Sequence, residues 1–303
     1  MSPERPPTID PTAAARWQKT LVEPSPWLHE EVARRMAERL DIIRLQPAAW
    51  AHWEPVRGGL QAHSLLAARY PDSQCFIAES HDRQAYKASK KIAKKWWNLA
   101  AWRATTTRFE SPPDASVQML WANMALHMAS DPQALIAQWH KALAVDGFLM
   151  FSCLGPDTLR ELRALYQQLG WPAPSHEFTD MHDWGDMLVG AGFAEPVMDM
   201  ERITLTFETP ERLLAELRSL GRNLHLARFA GLRGRAWLGG LHRQLAQNLA
   251  NSKEGGRLSL TFEVIYGHAL KPARRLKLGP ETTMSLDEMR MALRQGRGAN
   301  PVG

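Results

Sequence analysis

The amino-acid sequence predicts an α/β fold, a doubly wound sheet with helices on its faces, and three observations predict it. From Ser116 to Arg163 the chain reads strand, loop, helix, tight turn, strand, helix. Two strands joined in this way make a right-handed parallel crossover unit. The strand candidates there are unbroken apolar runs, the mark of strands covered on both faces. Between Ala49 and Glu79 the order is strand, glycine-bearing turn, helix, strand and acid, which is that of a nucleotide-binding half-fold. Ligands of such sheets sit beyond the carboxyl ends of the strands, which puts Asn123 and the turn from Ser152 to Asp157 on the functional rim.

Each element follows in order. Residues 1–24 read as a disordered arm, with prolines at 3, 6, 7 and 11 and little apolar content. Trp27, Val32, Met36, Leu40 and Ile43 recur at helical spacing until Pro47 stops the helix. A strand from Ala49 to Trp53, a turn from Glu54 to Gly59, a helix from Leu60 to Tyr70 and a strand from Gln74 to Ala78 follow, closed by Glu79. Lys87, Lys90, Lys91, Lys94 and Lys95 then stand beside Trp96, Trp97 and Trp102 in a basic, partly amphipathic helix. That pattern suits a solvated helix packed on the sheet by its tryptophans, or a docking face for an acidic partner.

Val117 to Trp121 is the next buried strand. Asp131 and Pro132 open a helix as N-cap and first residue, and its apolar positions run through Leu143 and Val145 to the turn at Asp146-Gly147. Phe148 to Ser152 is a strand, Asp180 to Gly192 a helix with a glycine cap, and Val197 to Phe207 alternates in the β manner. Thr209, Pro210 and Glu211 begin an arginine-rich helical region that reaches about Ala250, cut by glycines into two or three short helices. Arg257 to Leu270 is the last strand, and Ser285 with Glu288 forms a capping box for a short C-terminal helix.

Composition narrows the function classes. With 303 residues and 45% apolar content the chain can bury a large core. No apolar run is long enough to span a membrane and no export signal is visible, so a soluble cytoplasmic protein is expected. Two cysteines, Cys75 and Cys153, exclude a disulfide framework, and the eleven histidines lack metal-binding spacing. No metal is expected, and nucleic acid is an unlikely partner; the net charge of +5 suits an acidic one. No catalytic residue stands out, His127 and His182 being the only histidines on segments that reach the rim.

Four segments carry a resemblance. They are LWANMALHMASDPQALIAQWHKALAVDGFLMFSCLGPDTLRELR, DMHDWGDMLVGAGFAEPVMDMERITLTF, LRSLGRNL and LTFEVIYGHA. In this order they resemble the class I S-adenosylmethionine-dependent methyltransferases, and among these the malonyl-acyl-carrier-protein O-methyltransferases of biotin synthesis. The resemblance implies a mostly parallel, seven-stranded Rossmann-like sheet. It divides the chain into a domain over residues 25–275, with residues 209–250 inserted as a helical lid, and a C-terminal helix and tail over 276–303. The implied activity is methyl transfer from S-adenosylmethionine to the free carboxyl of a malonyl thioester on an acidic acyl carrier protein; such a carrier is one of the acidic partners that Lys90, Lys91, Lys94 and Lys95 suit, beside a nucleic acid or a membrane surface. Gly58, Gly59, Glu79 and Asn123 are the implied cofactor contacts. Arg218, Arg222 and Asn223 are the implied substrate contacts, because guanidinium forks bind carboxylates.

The sequence departs from the family where the cofactor binds. An apolar strand ending in aspartate, then three glycines at alternating positions, is the family pattern. Here His52, Glu54 and Val56 replace the aspartate and two of the glycines, leaving Gly58 with Gly59 beside it. Thr106 and Gln118 replace two further acids. A valine and a proline do not copy a glycine loop. The departure leaves two alternatives beside methyl transfer: a catalytically silent relative that binds a carrier or assembly partner, and the same pocket with another ligand or chemistry.

Overall fold

The structure is a computed structural model and describes residues 9–20, 25–92, 107–251 and 255–273. Its sheet runs β3-β2-β1-β4-β5-β8-β6, with the short β7 paired to β8. The strands are β1 (Ala49–Trp53), β2 (Gln74–Ala78), β3 (Thr107–Arg108), β4 (Val117–Ala122), β5 (Leu143–Leu154), β6 (Ala194–Phe207), β7 (Ala250–Asn251) and β8 (Arg257–Leu270). The first five are parallel and β8 is antiparallel to both β5 and β6. The path therefore holds the seven strands of the expected fold, and β7 adds an eighth. Strand order reverses between β1 and β4, which places the crevice for a ligand at their carboxyl ends.

Side chains alternate between the two faces, as a two-residue period requires. Trp50, Met119, Trp121, Phe148 and Met150 pack with Leu28, Met36 and Leu66 from the helices α2 (Trp27–Glu38) and α4 (Gln61–Arg69). On the other face, Ala51, Leu120, Leu149 and Phe151 pack with Ile136 and Trp139 of α6 (Pro132–Ala142) and with Trp184 and Leu188 of α8 (Met181–Gly190). Leu188 is fully buried, so shortening it to alanine costs about 2–5 kcal/mol.

Other helices frame the strand ends: α1 (Pro11–Gln18), α3 (Pro55–Gly58), α5 (Asp82–Ile92), α7 (Arg160–Gln168), α9 (Pro210–Leu220) and α10 (Arg235–Asn248). In α9, Thr209 caps the N-terminus by accepting from the Arg212 amide. Residues to Pro272 form one unit; a second, Ala273–Gly303, lies almost wholly outside the described residues. It contains the expected capping box at Ser285 and Glu288. Lys94, Lys95, Trp96, Trp97, Trp102 and Thr106 are also outside the described residues.

Two local expectations are corrected. Within the stretch read as a disordered arm, α1 is a helix: Asp10 accepts from the amides of Thr12 and Ala13, Pro11 is its first residue, and Ala14 and Trp17 are buried with Leu224. Helix α6 ends at Ala142, before Leu143 and Val145. Leu143 already begins β5, and Asp146 turns with a positive φ of 63° while its amide donates to Lys271.

Candidate functional site at the strand ends

A cavity of about 290 Å³ lies where β1 and β4 end, lined among others by Trp17, Trp53, Arg57, Gly58, Asn123 and Asp131. Its floor follows from the departures in the β1 loop. Glu54 takes a left-handed backbone (φ 46°), and residues 55–58 coil into the single turn α3. A loop that offers amides to a ligand needs those amides unspent. Here the Val56 amide donates to Glu79 Oε1 at 2.9 Å, and the Gly58 and Gly59 amides close on Glu54 and Pro55 carbonyls.

The two surviving glycines admit the chain itself. A Cβ on Gly58 would lie 2.5 Å from the Asn123 carbonyl oxygen, and one on Gly59 (φ 118°) 2.8 Å from the Glu30 carboxylate. Glu30 uses that space to cap α4, accepting from the amides of Leu60 and Gln61 at 3.0 and 3.1 Å.

Asn123 is 1% exposed and its side chain is engaged inside the protein. Its amide donates to the carbonyls of His29 (2.8 Å) and Gly58, and its oxygen accepts from the Ser152 hydroxyl at 2.6 Å. These bonds tie the ends of β4 and β5 to α2 and to the loop.

Arg57 is the residue the sequence did not single out. Its Nη2 donates to the carbonyls of Trp17, Gln18 and Thr20 at 2.6, 2.8 and 2.7 Å, and its guanidinium lies over the Trp17 ring, 4.4 Å from the centroid. It thereby pins α1 across the strand ends. The signal available in the sequence was an arginine between Val56 and Gly58, in a loop that ordinarily admits only small residues.

Of the four expected cofactor contacts, Gly58 and Asn123 line the cavity, whereas Glu79 and Gly59 do not. Burial pushes the Glu79 carboxyl up to about 8, and its Oε2 is buried without a hydrogen-bond partner. That orphaned oxygen is suited to the hydroxyls of a ribose. The loop amides, the Asn123 side chain and Arg57 are all committed to partners within the protein, so in this arrangement the loop has no free amide to offer a methyl donor. Gln118, aligned with a family aspartate, accepts from the Ala49 amide at the far end of β1. His52 is fully buried, neither ring nitrogen has a partner, and it stacks on His63 with centroids 5.9 Å apart.

A second cavity, about 220 Å³, lies between the 209–250 segment and the sheet; its wall is mainly apolar, including Leu154, Leu162, Leu214 and Phe262. Arg218, Arg222 and Asn223 all line it, so the structure brings the three expected substrate residues together. Among the described residues neither arginine has a carboxylate partner. Burial, and then the neighbouring Arg218, lower the pKa of Arg222. Both arginines also line an outer groove of about 850 Å³ with Trp27, Arg34 and Leu65. The Asn223 amide donates to the Ala173 carbonyl, fixing the 173–176 segment to the 209–250 segment. Met128 and Leu220 line both this cavity and the one at the strand ends.

The two histidines near the rim part company. His127 is 5% exposed and lines the second cavity, whereas His182 is exposed and bonds Asp180 at the start of α8. Among the described residues no cluster suits a metal ion, and no helix is long and apolar enough to cross a membrane.

No protein-family model matches the chain. Among solved structures, a putative methyltransferase from Bacillus halodurans superposes with a TM-score of 0.54 at 14% identity, covering 79% of this chain and all of that one. The YcgJ protein from Bacillus subtilis gives 0.51 at 12% identity, over 80% of this chain and 99% of its own. These show the fold. By sequence the chain is 36% identical to the malonyl-[acyl-carrier protein] O-methyltransferase of Laribacter hongkongensis over 273 residues, 87% of each chain. It is 38% identical to that of Gallionella capsiferriformans over 263 residues, 82% of this chain and 86% of the relative. The chain belongs to the family of malonyl-[acyl-carrier protein] O-methyltransferases.

Proposed function

We propose that the protein methylates the free carboxyl of a malonyl group held as a thioester on an acidic acyl carrier protein, in the cytoplasm, with S-adenosylmethionine as methyl source. The observation that carries the reading is the pair Arg218 and Arg222. Two neighbouring arginines without carboxylate partners among the described residues line a mainly apolar cavity that adjoins the strand ends. Burial first, and then the neighbouring Arg218, lower the pKa of Arg222; an anion relieves the repulsion between the two, and a carboxylate can be held by both at once.

A carboxylate is already nucleophilic, so the chain's task is to bind and orient it while the apolar wall excludes water. The absence of an obvious general base among the sequence candidates accords with that task. S-adenosylmethionine supplies an activated methyl group when bound. For the donor to reach Glu79, the loop has to release the Val56 amide from Glu79 and the Arg57 guanidinium from α1. Lys90 and Lys91, on the last turn of α5, are the described part of the docking face for the acidic carrier.

Incubation of the purified protein with S-adenosylmethionine and malonyl-loaded carrier, followed by intact mass spectrometry of the carrier, tests the reading. One added methyl group on the malonyl carrier, and none on a carrier loaded with an uncharged acyl chain, is expected. An unmodified malonyl carrier at saturating donor overturns it.

A further inference from the structure

The cavity beneath the lid segment holds polar atoms that malonate recognition does not use. Nδ1 of His127, Nδ1 of His176 and Oγ of Ser175 are buried without a hydrogen-bond partner, and all three residues line that one cavity. The residues are 5%, 3% and 7% exposed. An orphaned polar atom in such a site costs stability, and three around one mainly apolar cavity mark a place where a ligand brings the missing partners.

The chemistry of that partner follows from His176. Its Nε2 lies 3.0 Å from the carbonyl oxygen of His127. A carbonyl only accepts, so Nε2 carries the proton. Burial holds the ring pKa down at about 4, so the ring is neutral at physiological pH. Nδ1 is then a bare lone pair, and only a donor satisfies it. A malonyl carboxylate at neutral pH has no donor. The arm that carries a thioester on a carrier protein does, because it contains secondary amides whose N–H groups need acceptors once they leave water.

We infer that the cavity between the 209–250 segment and the sheet recognises an amide N–H of the acceptor's thioester arm through Nδ1 of His176, with Ser175 and His127 completing the polar part of an otherwise apolar wall. This rests on the reading that the acceptor is a carrier-bound malonyl thioester. It gives the acceptor two separate points of recognition, the carboxylate at Arg218 and Arg222 and the arm at His176. The bond from Asn223 to Ala173 connects the segments that bear them.

The test uses two small malonyl thioesters and the full chain without donor. One is the thioester of N-acetylcysteamine, which has a single amide; the other replaces that amide with an alkyl isostere. Calorimetric binding to the wild-type protein is expected to favour the amide by about tenfold, the order expected for one hydrogen bond to a neutral acceptor. His176→Phe should abolish the preference while the alkyl thioester still binds, and His176→Asn, whose side-chain oxygen can stand in for Nδ1, should restore part of it. Equal wild-type affinity for the two thioesters, or no binding of either, overturns the inference whether or not the variants fold. A uniform loss for both thioesters in His176→Phe also overturns it, by assigning the histidine to structure alone. Failure of the underlying reaction looks different: an intact amide preference with no methylation of malonyl carrier rejects the proposed transfer and leaves the arm site standing.

Discussion

Removing the Arg57 side chain should open the donor side of the site. Nη2 has two hydrogens shared among three carbonyls, so the contacts with Trp17, Gln18 and Thr20 count as two charged hydrogen bonds. At about 1.5–3 kcal/mol each, with a further contribution from the Trp17 ring, the gross stabilisation of the closed loop is about 4–7 kcal/mol. Burying the guanidinium offsets much of this, and burial indeed lowers the Arg57 pKa. A net preference of about 2–3 kcal/mol for the closed loop reduces donor affinity by roughly 30- to 150-fold, since a ligand of a minor conformer binds in proportion to its population. Arg57→Ala keeps the backbone bonds of α3 and should tighten S-adenosylmethionine binding by that factor in calorimetric titration. An affinity equal to or weaker than wild type, in a variant with unchanged circular dichroism, would refute the reasoning.

Other consequences follow from the same geometry. Arg218→Ala or Arg222→Ala should raise KM for malonyl carrier about 10- to 100-fold, the loss of one charged hydrogen-bonding partner, with little change in donor affinity measured by titration. Lys90→Glu with Lys91→Glu should weaken carrier association several-fold at low ionic strength, and surface plasmon resonance in about 1 M salt should show the difference vanish. Glu79 titrates at about 8 in the folded protein against about 4.5 in the unfolded chain, so its stabilising effect is complete below the lower value and lost as pH rises through the upper one. Glu79→Gln should therefore match wild-type Tm near pH 5 and exceed it near pH 9; a gap that does not depend on pH excludes this account.

The scaffold was legible because it depends on runs and caps. Unbroken apolar strands, the Asp131-Pro132 helix start, the Thr209 cap and the Gly192 stop are local signals, and each appears in the structure. Helix α1 was hidden because its stabilising partner, Leu224, lies far along the chain and its prolines suggested disorder, although Pro11 sits where a helix tolerates it. A cavity lies at the strand ends where the rim was expected, but what its residues do was harder to read. Asn123 and Gly59 stand at ligand-binding addresses, yet their contacts are with His29, Gly58, Ser152 and Glu30. An address follows from strand order, whereas the direction of a side chain depends on partners that no local pattern reveals. His176 shows the same limit, since its bare nitrogen follows from a carbonyl 49 residues away.

The β1 loop with Glu54 and Val56 and the Arg57 latch form one structural arrangement. Without the glycines the β1 loop cannot expose successive amides, and a helical turn is the compact alternative for a segment that begins with Glu54 in the left-handed region. That turn directs residue 57 toward α1, where a long cation can reach the carbonyls of Trp17, Gln18 and Thr20, the first of which also accepts from the Thr20 amide. A glycine at 57 would remove the guanidinium that bridges those carbonyls; an arginine at 57 over a glycine-rich loop would have no fixed place. The substitutions therefore support one another, and single reversions at Glu54 or Val56 should change the loop less than Arg57→Ala does. The coupling has a measurable signature: in a double-mutant cycle of Arg57→Ala with Val56→Gly, the effect of the double variant on S-adenosylmethionine affinity should exceed the sum of the two single effects, and strict additivity would show that loop and latch act independently.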